Sequence, residues 1–383
     1  MIISRDASST LSQLAKGFPV LGLTGPRQSG KTTLARWLFP DKPYVSFENP
    51  DQRELAQQDP KAFLSRFAQG AIFDEIQREP QLLSYLQGVV DEHRRMGEFV
   101  VTGSQQFGLM QSITQSLAGR IGMVQLLPLT LRELRNAERI PASLDDLLYA
   151  GCYPALYDRE LQPHQWFANY LATYVERDVR QISQIRDLSL FQRFVKLCAG
   201  RCGQLLNLTS LANDCGISHT TARTWLSVLE AGYIVFLLPP HHRNFGKRLV
   251  KMPKLYFYDT GLASYLLGIQ NPDQLSTHAQ RGALFEAFVV AEFLKRRLNE
   301  GLPSNLYFWR NNTGDEIDLL IEHGSELQPI EIKSGQTFTA DFLKPLLKWM
   351  KIADASVRAP LLVYGGDEAL RIRDIDVMSW RGL

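Results

Sequence analysis

The sequence predicts an α/β protein: a parallel sheet in the N-terminal third, a helical middle, and a second α/β domain at the C-terminus. Three observations predict it. Short apolar runs alternate with helical patterns between residues 19 and 126, the order that builds a parallel sheet. Residues 128–200 carry apolar side chains mostly at helical spacing. Two strand-like stretches bearing acids, 316–321 and 330–333, then follow a long helical pattern.

Composition sets the outer bounds. A chain of 383 residues suggests two or three domains. With 45% hydrophobic and 21% charged residues it is of ordinary globular type, and no apolar run is long enough to cross a bilayer. The start, Met1-Ile2-Ile3-Ser4-Arg5-Asp6, lacks a signal-peptide pattern, so a cytoplasmic location and no membrane partner are expected. A net charge of +2 gives no global basic signature, and any nucleic-acid surface must be a local patch.

Residues 8–16 are weakly helical and lead into a buried strand, Pro19–Thr24. The next stretch, Gly25-Pro26-Arg27-Gln28-Ser29-Gly30-Lys31-Thr32-Thr33, fits G-x-x-x-x-G-K-[ST] and runs into a helix pattern through Leu38. Glycines let the backbone curl so that successive N–H groups face phosphate oxygens; Lys31 adds positive charge at the β/γ-phosphates, and the Thr32 hydroxyl is a Mg²⁺ ligand. The helix N-terminus favours the same anion. ATP and Mg²⁺ are therefore the expected cofactors.

Pro43–Phe47 reads as a second strand and 51–69 as a helical stretch. Ala71-Ile72-Phe73-Asp74-Glu75 is an apolar strand ending in two acids, where ligands of parallel sheets bind. Asp74 is expected to hold Mg²⁺ with Thr32, and Glu75 to polarise the attacking water. A helix over 80–94 precedes the strand Glu98–Ser104, whose Thr102 or Ser104 would sense the γ-phosphate. Arg120 lies just before the strand Ile121–Leu126; it would act on the nucleotide in cis, or in trans as an arginine finger in a homo-oligomer, or is simply solvated.

Gly25–Thr33, Phe73-Asp74-Glu75, Val101-Thr102-Gly103-Ser104 and Leu117-Ala118-Gly119-Arg120 together resemble a group of prokaryotic AAA-type ATPases. In that group a winged helix and a restriction-endonuclease-like domain follow the ATPase core. The resemblance covers nearly the whole chain and implies ATP binding and hydrolysis on a central parallel sheet flanked by helices. The expected division is 1–135 for the P-loop ATPase core, 136–200 for a helical lid or connector, 201–248 for a winged helix-turn-helix, and 249–383 for a nuclease-like domain.

Within the middle, Tyr170–Val179 carries apolar residues at helical spacing. Leu208–Glu230 reads helix, glycine turn, helix, with Thr209 and Ser218 as expected N-caps and Gly232–Leu238 as a wing strand. Were it to touch DNA, His219, Thr220, Thr221, Arg223 and Thr224 would face the major groove, and the run His241–Arg248 would reach phosphates. The other reading is a packing or protein-contact module. Of the four cysteines, Cys198, Cys202 and Cys215 with His219 form C-x3-C-x12-C-x3-H, near zinc-ligand spacing. Cys198 and Cys202 also share a helix face, where they would pack as small apolar groups, so both readings stay open. No disulfide is expected.

In the last third, Arg281–Leu294 is a helix with Glu286 in an apolar stretch, where a carboxylate is costly unless paired or metal-bound. Asp318 lies on one strand, and Glu331 and Lys333 share a face of the next. An Asp followed by Glu-x-Lys suits a metal-dependent phosphodiesterase: Asp318 and Glu331 to hold Mg²⁺, Lys333 to position the nucleophile or offset phosphate charge, Glu286 to add or orient a ligand. This order resembles the PD-(D/E)XK nuclease superfamily, with Ile317 where a proline often stands. Residues 339–354 read as an amphipathic helix and Pro360–Tyr364 as the last strand.

The combined expectation is an ATPase coupled to a nucleic-acid-processing domain, with DNA as the candidate partner. The alternatives are a nucleotide switch or a ring-shaped protein remodeller whose later domains serve only as interaction modules.

Overall fold

A computed structural model describes residues 3–104, 116–159, 161–174, 187–241, 250–353 and 357–383. The part of the expected helix after Tyr174 and the basic residues 242–248 lie outside these. The chain divides into two compact units: residues 1–129 with 231–233 and 295–303, and the remainder.

The first unit is a five-stranded parallel sheet, ordered β2-β3-β4-β1-β5. Its strands are β1 (Val20–Thr24), β2 (Tyr44–Ser46), β3 (Ala71–Asp74), β4 (Phe99–Gly103) and β5 (Ile121–Gln125). β1 lies between β4 and β5, with Thr24 in register with Gly103 and Gln125. β1, β3 and β4 are buried along their whole length, as expected of a parallel sheet covered on both faces. One face packs an aromatic cluster in which Phe73 stacks on Phe99 at 5.6 Å and meets the edge of Phe67 at 5.5 Å. Each such ring contributes roughly 2–3 kcal/mol by leaving water. The helical stretch expected over 51–69 is two helices, Pro50–Gln58 and Pro60–Ser65. Pro60 has no N–H to continue the first, and the Asp59 side chain caps the second at Ala62 N.

The second unit contains the helices of the middle and a six-stranded mixed sheet ordered β12-β13-β11-β10-β9-β8. Helices Leu208–Cys215 and His219–Ala231 are joined through Gly216 in a left-handed conformation, φ 77°. Ser218 caps the second helix, as expected, but the first is capped by Asn207, two residues earlier than Thr209. β6 (Val235–Leu238) and β7 (Lys254–Phe257) form an antiparallel pair.

In the larger sheet, β8 (Leu306–Arg310) pairs with β9 (Glu316–His323), which pairs antiparallel with β10 (Glu326–Lys333). β10 runs parallel to β11 (Leu361–Tyr364). β11 is not the last strand: β12 (Leu370–Ile372) and β13 (Ile375–Ser379) follow, and β13 pairs with β11. β12 is a short, mostly exposed edge, too brief for its alternation to stand out in the sequence. The amphipathic stretch 339–354 is a 3₁₀ turn, Ala340–Leu343, followed by the helix Lys344–Ile352, which packs Leu346 and Trp349 against Trp309 and Ile317.

Candidate functional site

The first site sits at the C-terminal ends of β1, β3 and β4. Between β1 and the helix Lys31–Leu38 the backbone takes positive φ at Gly25 (147°), Gln28 (61°) and Gly30 (93°). Gly25 is required there: a Cβ would stand 2.1 Å from the Leu126 carbonyl. Lys31 Nζ donates to the carbonyls of Gly25 (2.9 Å) and Pro26 (2.7 Å), holding its charge at the loop. Pro26 and Ser29 are buried in the same curl, Arg27 is half-buried with its guanidinium 3.7 Å from Glu48, and Thr33 is exposed on the helix.

Thr32 Oγ1 donates to Asp74 Oδ1 at 3.0 Å, so the two expected Mg²⁺ residues meet. The Thr102 hydroxyl donates to the same oxygen, and Tyr44 donates to Oδ2 at 2.7 Å. Burial and the Asp74 carboxylate push the Tyr44 phenol up to about 12, so it stays a donor. Glu75 leaves β3 in a left-handed conformation, φ 56°, a strained backbone for a non-glycine. Its N–H donates to Thr102 Oγ1 at 3.3 Å, while its carboxylate accepts from Ser104 Oγ at 3.0 Å and from Gln77. Thr102 and Ser104 therefore orient the two acids. Arg120 makes a two-point ion pair with Asp91, at 2.6 and 2.8 Å, and holds that carboxyl below its usual range.

Sequence reasoning missed Arg5, Tyr44 and Gln77. Arg5 is buried and donates to the Ser29 and Leu127 carbonyls, both at 2.6 Å, buttressing the loop from outside its motif. No pattern marks Tyr44, since its strand is only three residues long and ends in the polar Ser46.

The second site lies on the mixed sheet of the second unit. Asp318 Oδ2 accepts from Ile332 N at 2.8 Å, which fastens β9 to β10. Lys333 Nζ contacts Glu331 Oε1 and stands 3.7 Å from Asp318 Oδ2. Glu331 Oε2 is buried and has no hydrogen-bond partner. Burial, then the neighbouring Asp318, pushes the Glu331 carboxyl up to about 8. Asp318, Glu331 and Lys333 line a cleft of about 460 Å³ with Asp315, Glu316, Lys344, Lys348, Trp309 and Trp349.

Glu286 is held differently. On the helix Arg281–Asn299, it accepts from Lys254 Nζ at 2.7 Å and from the Tyr256 hydroxyl, both from β7. Burial, then Asp318, pushes its carboxyl up to about 7. Lys254 also pairs with Glu316. Burial would depress the Lys254 ammonium, but Glu286, Asp318 and Glu316 outweigh it and hold it charged. Removing one partner of so buried a pair costs about 3–5 kcal/mol. Lys254, Tyr256 and Glu316 were not anticipated; the polar alternation of Lys254 and Tyr256 in an apolar strand was the signal.

The groups fit Mg²⁺, which is held by one or two carboxylates with bound phosphate completing its shell. Asp74 with Thr32 is one such set, and Asp318 with Glu331, carrying an unsatisfied oxygen, is another. Among the described residues no group of three or more His, Cys, Asp or Glu side chains is placed to hold a metal. The zinc spacing therefore does not close: Cys198, Cys202 and Cys215 are buried free thiols, and His219 is exposed. Burial pushes the Cys202 thiol up to about 12, which disfavours the thiolate a metal needs.

Residues 17–135 match the family description "AAA domain", 141–273 "Domain of unknown function (DUF8612)" and 281–383 "Domain of unknown function (DUF4143)". The chain is 32% identical over 379 residues to "Uncharacterized protein Rv2008c" of Mycobacterium tuberculosis, covering 98% of this chain and 82% of that protein. The same values hold for "Uncharacterized protein Mb2031c" of Mycobacterium bovis. Among solved structures, the Walker-type ATPase paby2304 of Pyrococcus abyssi is 16% identical, covering 69% of this chain and 96% of that one, with a TM-score of 0.46. No helix among the described residues is long and apolar enough to cross a membrane.

Proposed function

The chain belongs to the same family as the two mycobacterial proteins, and on that premise we propose that it hydrolyses ATP and carries a Mg²⁺-dependent phosphodiesterase site for nucleic acid. Its first unit is an AAA-type P-loop ATPase domain that binds ATP. Lys31 and the loop Gly25–Thr33 take the phosphates, Thr32 and Asp74 take Mg²⁺, and Glu75 polarises water once Ser104 and Gln77 have aimed it. Arg120 reaches a neighbouring copy's nucleotide only by leaving Asp91, which makes a homo-oligomer the setting for that role.

The observation that carries the second activity is the meeting of Asp318, Glu331 and Lys333 at one cleft, with a buried carboxylate oxygen left unsatisfied. Asp318 and Glu331 hold Mg²⁺; Lys333 offsets charge on the scissile phosphate. Mg²⁺ held by these two carboxylates would supply a Lewis acid for a phosphoryl oxygen and lower the pKa of a water. Lys344 and Lys348 at the rim attract flanking phosphates. The order helix-Glu286, strand-Asp318, strand-Glu331-x-Lys333 supports a PD-(D/E)XK nuclease-like domain over 249–383. The exposed His219, Thr220, Arg223 and Thr224 support a winged helix over 201–248 that docks on DNA, with 136–200 as connector.

The test is cleavage of plasmid, linear and single-stranded DNA with Mg²⁺ or Mn²⁺, with and without ATP. Wild type should cut and Lys333→Ala should not, and dependence on ATP would establish coupling. No cleavage in any condition would remove the nuclease reading and leave an ATP-binding switch whose later domains contact partners.

A further inference from the structure

The four carboxylates lining the cleft are not equivalent. Asp315 holds Lys348 at 2.5 Å. Glu316 holds Lys254 on one oxygen and Arg310 on the other, at 3.2 Å. Asp318 and Glu331 have only Lys333 as an ion-pair partner among the described residues. Behind them Glu286, the remaining acid of the cluster, is taken by Lys254 and Tyr256.

We infer that Lys254 stands in for a second metal ion, so that the Asp318–Glu331 site takes a single divalent cation. This rests on the phosphodiesterase reading and deepens it. A two-ion site places its ions about 3.5–4 Å apart, so even with one carboxylate bridging them a second ion needs acids beyond Asp318 and Glu331. The acids available to a second ion are Glu286 and Glu316, and the Lys254 ammonium already sits between them. Its side chain is only 4% exposed, and the Phe308 ring closes over it with its centroid 5.5 Å away. An ammonium so enclosed and paired on two sides is a fixed charge, where a hydrated ion would have to shed its water to enter.

The charge tally agrees. With Glu331 deprotonated as a metal ligand, Asp318 and Glu331 against Lys333 leave one net negative charge. One divalent ion turns this to one net positive charge, which matches the single negative charge of a phosphodiester. A second ion in the place of Lys254, between Glu286 and Glu316, would put two positive charges where there is one and leave one unbalanced.

Lys254 comes from β7, in the segment 141–273, whereas the acids it serves lie in 281–383. The second unit thus supplies its own resident cation from outside the strands that carry the metal ligands.

The experiment counts Mn²⁺ by electron paramagnetic resonance in the full chain without nucleotide, comparing wild type with Asp318→Asn. The difference is expected to be one ion per chain. A difference of two would overturn the inference while leaving a metal site in place. A difference of zero would overturn both the inference and the phosphodiesterase reading. Lys254→Met should raise the count to two, and Lys254→Arg should hold it at one. A Met variant that stays at one overturns the stand-in role, and if that variant does not fold the wild-type count decides alone.

Discussion

The two candidate sites are made of different material. The nucleotide site is largely backbone: curled N–H groups, three positive φ angles and one lysine, all within Gly25–Lys31. The site of the second unit is made of side chains: Asp318 of β9 and Glu331 and Lys333 of β10 at the cleft, with Lys254 of β7 and Glu286 of a helix beside them. A backbone site is specified by shape and tolerates little change at its glycines. A side-chain site is specified by charge, and its behaviour follows the balance of carboxylates and ammoniums.

The largest effect tests the shape half. Gly25→Ala puts a Cβ against the Leu126 carbonyl, so calorimetry should find ATP affinity lost along with a lower Tm. Lys31→Ala, which leaves the backbone intact, should lose affinity at a nearly unchanged Tm. Full ATP affinity in Gly25→Ala would break the contrast.

A medium effect tests the charge half. Glu331 titrates near 8 in the folded chain against an ordinary 4.5, so between these values the folded state holds its proton more tightly than the unfolded one. Without divalent cations, stability is then fully present below about pH 4.5 and is lost as pH rises through about 8. Tm measured from pH 5 to 8.5 should fall, and Glu331→Gln should flatten the fall. A slope unchanged by the substitution would place the pH dependence elsewhere, with Glu286 the next group to replace.

The smallest effect concerns Arg120. Its pair with Asp91 is exposed, and such pairs contribute little. Arg120→Ala should leave Tm where it is. If turnover per chain rises with protein concentration in wild type and not in the variant, the arginine acts between copies; identical turnover curves would confine it to the surface pair with Asp91.

Legibility followed the same divide. A contiguous motif between a strand and a helix exposes a backbone site almost completely in the sequence, and the loop, Asp74 and Glu75 all lie where expected. What it hid were the supports: Arg5 and Tyr44 act from other elements, and nothing in their neighbourhoods marks them. For the second site, Glu331 and Lys333 were legible because period 2 puts them on one face of β10, and Asp318 because it stands on the preceding strand β9. Lys254 was not, since its pairing with Glu286 depends on how β7 packs against a helix that begins 27 residues later. The two terminal strands were missed for a plainer reason: one is short and mostly solvent-facing, so its pattern is weak.

The ion pair between Lys254 and Glu286 also constrains how such a chain can be shuffled in evolution. A gene fragment beginning between the matched segments 141–273 and 281–383 would export Glu286 without its counter-charge and leave Glu316 with Arg310 alone. Recombination at that seam would have to carry a compensating change, such as a neutral residue at 286, or the transplanted part would fold poorly. Strand β7 and the C-terminal sheet are therefore expected to be inherited together, as one heritable unit across a boundary that sequence matching draws between them.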